Sequence, residues 1–494
     1  MKYKLIFLAG FLPSICMAQW NTNNSVIEFT EPSEQPILKV KTIETPNGST
    51  WLAYTTYTPG YLVDCKIQLI DNEGISKFED GGFSLISNSR DLPSSAESFG
   101  MECDEDGNVI LCFPSAKDAE SYLPKPRLFK INQEGDQLWG KDGIEILMNS
   151  ENIESLNLYK INDEMLVAWG ATDYTDWSSS TFVMKINDSG SSAWESPVQV
   201  PGKNASILNN VDNISIFYTL SNHAFMNTYT TDGEQVYEEP ISISEEGVYV
   251  NEPWGASPFT TISKSDLSAI CYTGINSDNE NILVYAKVEE EPSFNTITST
   301  STFDNILLGI NDDGEKMSII WNEYDYENGS SLHMTTIAGD NISDNTVLST
   351  NNNLTPMYSA ITPSNEVFLI WGEAEGWSGS NVKCALFNEN EQVAELDLFF
   401  TTGELLANST YNDGEYAYFF MPDIDAETYE TSLIGMKIPL SCEFGQSSVN
   451  GIEREEDSTW VEYYTIDGRK VNAANLNRGI YIKRTEKGSQ KVIF

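Results

Sequence analysis

Catalytic side chains are scarce in this sequence. It holds two histidines, His223 and His333, far apart and without partner spacing, so neither reads as a general base or a metal ligand. No G-x-S-x-G occurs, which removes the nucleophile elbow of a serine hydrolase. Seven cysteines are present and none is arranged C-x-x-C, so a zinc or redox motif has no support. Positive charge is equally short: 28 Lys and Arg face 74 Asp and Glu, for a net charge of −46. Such a field repels nucleic acid phosphates and anionic lipid. Beyond Ile15 no apolar run approaches the roughly 20 residues of a membrane span, and no long stretch carries apolar residues at helical spacing.

Aromatic and β-branched residues are plentiful, punctuated by Asn, Asp and Gly clusters, which predicts an all-β chain. Short apolar runs ending in an aromatic recur: WLAY at 51–54, ILCF at 110–113, LVAW at 166–169, SIFY at 215–218, AICY at 269–272, SIIW at 318–321, FLIW at 368–371 and AYFF at 417–420. Their last residues lie 49 to 59 apart. A turn such as TPNG, EDGN or NDGE precedes each run, and a longer, variable connection follows it. A third strand then ends in DNEG, NQEG, NDSG or TDGE, and a fourth closes the unit. A period of this size with four strands per unit predicts a β-propeller.

Eight units predict eight blades; seven with one degenerate unit is the alternative. The eighth unit, ending in SLIGMKIPLSCEF, has no fourth strand of its own, whereas SVIEFTEPS at 25–33 precedes the first unit and reads like one. An N-terminal strand completing the last blade would remove an exposed sheet edge.

An aromatic follows the turn glycine by four residues in Gly74/Phe78, Gly135/Trp139, Gly190/Trp194 and Gly233/Tyr237. This G-x-x-x-W pattern resembles the tryptophan-docking repeat of pyrroloquinoline-quinone-type propellers. The resemblance implies aromatics wedged between neighbouring blades. The quinone dehydrogenases of that fold carry an adjacent cysteine pair that this chain lacks, so no cofactor is expected.

The two ends read differently from the middle. MKYKLIFLAGFLPSICMAQW has Lys2, Lys4, an apolar core and Ala18 before Gln19, which predicts a signal peptide over residues 1–18. Cys16 raises a lipoprotein alternative, set aside because Ile15 before it is bulky. The six later cysteines read as small buried hydrophobes. Cys103 and Cys112 flank Asp106-Gly107; a tight turn there sets Ile110 opposite Cys103 and leaves Cys112 diagonal to it, too long for a disulfide. Residues 19–448 form the propeller. From Val449 to Phe494 the charge balances, with 8 basic and 7 acidic groups. YYTIDGRKV, the G-I-Y-I-K segment at Gly479–Lys483 and the final KVIF resemble the C-terminal sorting tail of the type IX secretion system of Bacteroidetes. That resemblance implies a partner in the secretion machinery and a secreted or cell-surface location.

In a four-stranded meander the second-to-third and fourth-to-first connections share one face of the ring. On that face the sequence places Tyr174, Asp176 and Trp177 in unit three, Trp254 before unit five, Tyr324, Asp325 and Tyr326 in unit six, and Glu373, Glu375 and Trp377 in unit seven. Aromatics flanked by acids suit stacking on sugar rings or anchoring a protein partner. The expectation is a secreted, non-enzymatic propeller that binds a glycan or protein at the cell surface. Two alternatives stand beside it: an envelope scaffold resembling the outer-membrane-assembly propeller lipoprotein, and a polysaccharide hydrolase or lyase using two convergent carboxylates. The acidic surface suits calcium, but no Asp-x-Asp-x-Asp-Gly loop with a distal Glu is present, so no metal site is named.

Overall fold

A computed structural model describes residue 20, residues 26–443 apart from short connections (chiefly 59–61, 91–98, 116–124, 147–152, 253–256, 289–293, 326–328 and 375–378), and residues 461–465, 470–471, 480–485 and 488–493. Eight antiparallel sheets form a ring, an eight-bladed propeller in which the one helical element is a single 3-10 turn at Leu405–Ala407 among the described residues. Each recurrent apolar run is the second strand of its blade. In Thr50–Thr58 the side chains of Trp51, Leu52, Ala53 and Tyr54 are all buried, because a strand between two neighbouring blades has no solvent face. The same holds for Glu164–Asp173 and Val367–Ala374. Near-continuous apolar runs, rather than alternation, are therefore what this position demands.

Blade 1 comprises Ile37–Glu44, Thr50–Thr58, Leu62–Ile70 and Phe83–Arg90, and the pattern repeats with strict neighbour order around the ring. Blade 5 departs from it: its inner strand is split into Tyr249–Val250 and Phe259–Lys264, both paired with Leu267–Ile275. The last blade takes its fourth strand from the other end of the chain, as expected. Ile27 pairs with Gly435 and Glu28 with Ile434, and the Phe29 N–H donates to the Leu433 carbonyl at 2.7 Å. A Cβ at Gly435 would lie 2.6 Å from the Phe29 ring, so the glycine is what lets that aromatic pack against the strand Thr431–Pro439.

The turn glycines and the aromatics four residues later interlock between blades. Gly135, at φ +89°, holds the Phe78 ring; Gly190, at +79°, holds Trp139; Gly233, at +85°, holds Trp194. In each case the N–H of the glycine closes its turn at 2.9 Å, onto the carbonyl of Asn132, Asn187 or Thr230. Trp20 occupies the same position on Gly74 of blade 1, and its ring packs edge-on against Phe29, Tyr418 and Phe420. The run of docked aromatics thus begins in the N-terminal segment.

One expected register is corrected. Cys103 faces Val109, not Ile110, and Cys112 faces Gly100. The hairpin loop is five residues long because Asp104 caps it: its carboxylate accepts the Asn108 N–H at 2.8 Å, and the Gly107 N–H closes on the Asp104 carbonyl. All six described cysteines are buried thiols. Gly445–Phe494 forms a second compact unit whose sheet orders Lys470–Val471, Val461–Thr465, Ile480–Thr485 and Gly488–Ile493. The expected turn at Asp467-Gly468 lies outside the described residues. No described helix is long and apolar enough to cross a membrane.

Candidate functional site: the connection face and the inner strands

Because every inner strand begins where the previous blade's outer strand ends, the second-to-third and fourth-to-first connections of all eight blades emerge at one end of the ring. Five large aromatics among the described residues are well exposed: Trp177, Tyr249, Tyr324, Phe400 and Tyr429. All five lie at this end. Trp177 is in the second-to-third connection of blade 3 and Tyr429 in that of blade 8. Tyr324 is near the end of the second strand of blade 6, Phe400 near the end of the outer strand of blade 7, and Tyr249 at the start of blade 5. The exposed apolar residues at the opposite end, Leu138, Val236, Ile342 and Val393, are all aliphatic.

The two most exposed rings are held out by their backbone. Trp177, 74% exposed, has φ +62°, and Tyr429, 77% exposed, has φ +60°. Neither residue type adopts this conformation without local support. A carboxylate nearby provides it in each case. Asp176 accepts the Ser178 N–H at 2.9 Å, and Asp425 accepts the N–H groups of Glu427 and Thr428, both at 2.8 Å. Hydrogen bonds from Ser178 hold the Asp176 carboxyl below its ordinary range, and those from Thr428 and Glu427 do the same for Asp425. The acids beside these aromatics shape the loops.

Glu373, at the edge of the same face, is engaged within its own blade. Lys383 bonds it at 2.9 Å and the Asn352 side chain at 2.8 Å, and the lysine above all keeps its carboxyl low. Asp325 ends the second strand of blade 6 opposite Gly329. Tyr174, Trp254, Tyr326, Glu375 and Trp377 lie outside the described residues. Tyr249, Phe400 and Tyr429 were not singled out from sequence, although the connection rule that selected Trp177 applies to Tyr429 unchanged.

Both histidines are packed. His333 stacks on Trp321 with centroids 5.4 Å apart, and His223 packs on Tyr249 at the same distance.

On the inner strands, charge gathers where sequence reasoning saw none. Lys41 of blade 1 lies with its ammonium 5.4 Å from the Phe99 ring centroid. Burial first, then the charge of Lys39, lower its pKa to about 8. Burial raises Glu102 of blade 2 to about 7, while the backbone N–H of Lys160 and the charges of Lys41 and Lys160 oppose the shift. Among the described residues, the charged groups acting on Glu102 are these two lysines. Among the described residues no cluster of three His, Cys, Asp or Glu side chains could hold a metal ion.

A cleft of about 260 Å³ lies beside the closing segment, lined by Thr30–Ser33, Gln35, Tyr54, Thr56, Lys66, Asp80 and Thr431.

No protein-family model matches the chain, and no curated protein matches it. Solved structures do. A protein of unknown function from Dyadobacter fermentans is similar over 86% of this chain and 98% of its own, at 10% identity and a TM-score of 0.37. The WD40 domain of SCAP from fission yeast is similar over 85% and 98%, at 9% identity and a TM-score of 0.45. The polysaccharide lyase Uly1 is similar over 72% and 91%, at 9% identity and a TM-score of 0.42. Identities this low concern the fold alone.

Proposed function

We propose that this chain is an exported, non-enzymatic propeller that binds a glycan at the cell surface through the face bearing Trp177 and Tyr429. The observation that carries the reading is the segregation of exposed aromatics: five of five among the described residues lie at one end of the ring. They come from different blades, so they offer separated flat rings rather than one apolar patch. That spacing suits a polymer whose successive sugars each present an apolar face. A protein hot spot would call for clustered, desolvated anchors. Of the sequence-named acids, Asp176 enters as a loop support. The leader at 1–18 accounts for export, and the tail from Val449 for engagement of a secretion machinery of the type IX kind.

The test is a glycan array with the purified chain, followed by titration of Trp177→Ala and Tyr429→Ala. Each ring contributes about 1.4 kcal/mol, a tenfold loss of affinity, with the thermal midpoint unchanged because both side chains are solvent-facing. An empty array from a folded protein, or wild-type affinity in both variants, would refute the reading. Capture of a defined protein with the array empty would transfer the face to a protein partner.

A further inference from the structure

Two of the buried thiols meet across a blade boundary. Cys384 lies in the third strand of blade 7, Ser380–Asn388, and Cys442 in the turn just past the third strand of blade 8, Thr431–Pro439. Their sulfurs are 3.7 Å apart, although 58 residues separate them in sequence. Both sit in the apolar cluster that includes Leu386, Phe419 and Leu440. The backbone fixes Cys442 in place: its φ is +54°, and its N–H donates to the Pro439 carbonyl at 2.9 Å. A residue of this kind at positive φ needs its surroundings to hold it there.

We propose that Cys384 and Cys442 are joined by a disulfide in the mature protein, a covalent clasp between blades 7 and 8 at the point where the chain leaves the ring. Two thiols give up two protons and two electrons to a disulfide oxidant, which departs as two thiols, and the new S–S bond forms at about 2.05 Å. The sulfurs must close by roughly 1.7 Å, a movement that side-chain torsions in a short turn can supply. The hydrogen bond between the two thiols first, and burial second, push the Cys384 thiol upward. In the folded ring Cys384 therefore offers almost no thiolate for exchange. The bond forms while blades 7 and 8 come together, and afterwards it is sheltered from reductants. Blade 8 is then fastened twice, by ladder hydrogen bonds to the N-terminal strand and by this bond to its neighbour. Gly445, three residues on, begins the second unit.

Cys65, Cys103, Cys112 and Cys271 serve as internal controls, buried in blades 1, 2 and 5. The full chain is to be refolded with glutathione disulfide, denatured, alkylated and mapped by mass spectrometry. The expected result is two fewer titratable thiols than in the fully reduced chain, and one cross-linked peptide pair containing Cys384 and Cys442. Full alkylation of both residues, or their bonding to any other cysteine, would overturn the proposal. Reductant should also lower the thermal midpoint of the wild type and leave that of Cys384→Ser unchanged; if the variant does not fold, the peptide map decides alone.

Discussion

Replacing Gly190 with alanine should destabilise the ring more than the same change at Gly414, and the difference measures the docking of Trp139. Both glycines have positive φ, +79° and +92°. An alanine at either carries a backbone penalty of about 1–2 kcal/mol. At Gly414 nothing lies within 4 Å of the new methyl, so that penalty is the whole effect. At Gly190 the methyl would fall 2.1 Å from Ile144 Cδ1 and 3.2 Å from the Trp139 ring. The isoleucine end can swing away. The indole is less able to yield, with Gly190 against it and the Lys130 ammonium 5.9 Å from its centroid. Overpacking of this kind adds about 1–3 kcal/mol. For a ring of about 420 residues, roughly 1 kcal/mol moves the midpoint by about 1 °C. Gly190→Ala should then melt about 2–5 °C lower and Gly414→Ala about 1–2 °C lower, by scanning fluorimetry of the same transition. Trp139→Ala removes the obstacle, so the double variant should be less destabilised than the sum of the two singles by about 1 kcal/mol or more. Additivity within about 0.5 kcal/mol would show that the aromatic and the glycine do not act as a pair.

Other consequences are equally open to measurement. Phe29→Ala should cost about 3–5 kcal/mol, because it empties the space between Gly435 and Phe420 at the seam; a denaturation midpoint equal to wild type would contradict the closure energetics. Glu102 binds its proton more tightly folded than unfolded, with a folded pKa of about 7 against an ordinary 4.5. Its contribution to stability is therefore complete below about pH 4.5 and lost as pH rises towards 7. Glu102→Gln should flatten that part of the stability–pH curve, and an unchanged slope in urea melts at pH 5, 6 and 7 would refute the assignment. Lys41, lowered to about 8, acts in the opposite sense: its contribution is present above about pH 10.5 and lost as pH falls through 8. Lys41→Met should abolish the rise in stability between those limits.

Much of the ring is legible because its second strands are buried on both sides. A strand such as Val367–Ala374 must then be apolar throughout, and the same short word recurs in every unit. Closure could be read because the last unit lacks a strand and the first has one too many. Local turn chemistry was harder: Asp104 captures the Asn108 N–H and lengthens the loop, which displaces Cys103 by one register position, and no composition rule weighs that bond. Trp20 docks on Gly74 without the preceding glycine that marks the other docking aromatics. Its role depends on the tertiary course of the N-terminal segment. The Cys384–Cys442 contact joins different blades 58 residues apart, a distance over which spacing carries no signal. On the connection face the loop positions were readable, whereas the backbone duty of Asp176 required coordinates.

The pairing of Ile27 with Gly435 also has a meaning in time. At a translation rate of about 5–20 residues per second, the first strand waits roughly 20–80 s for its partner to be made. Until then the nascent polypeptide has no way to become a finished circle. The delay is written into which end supplies the final rung.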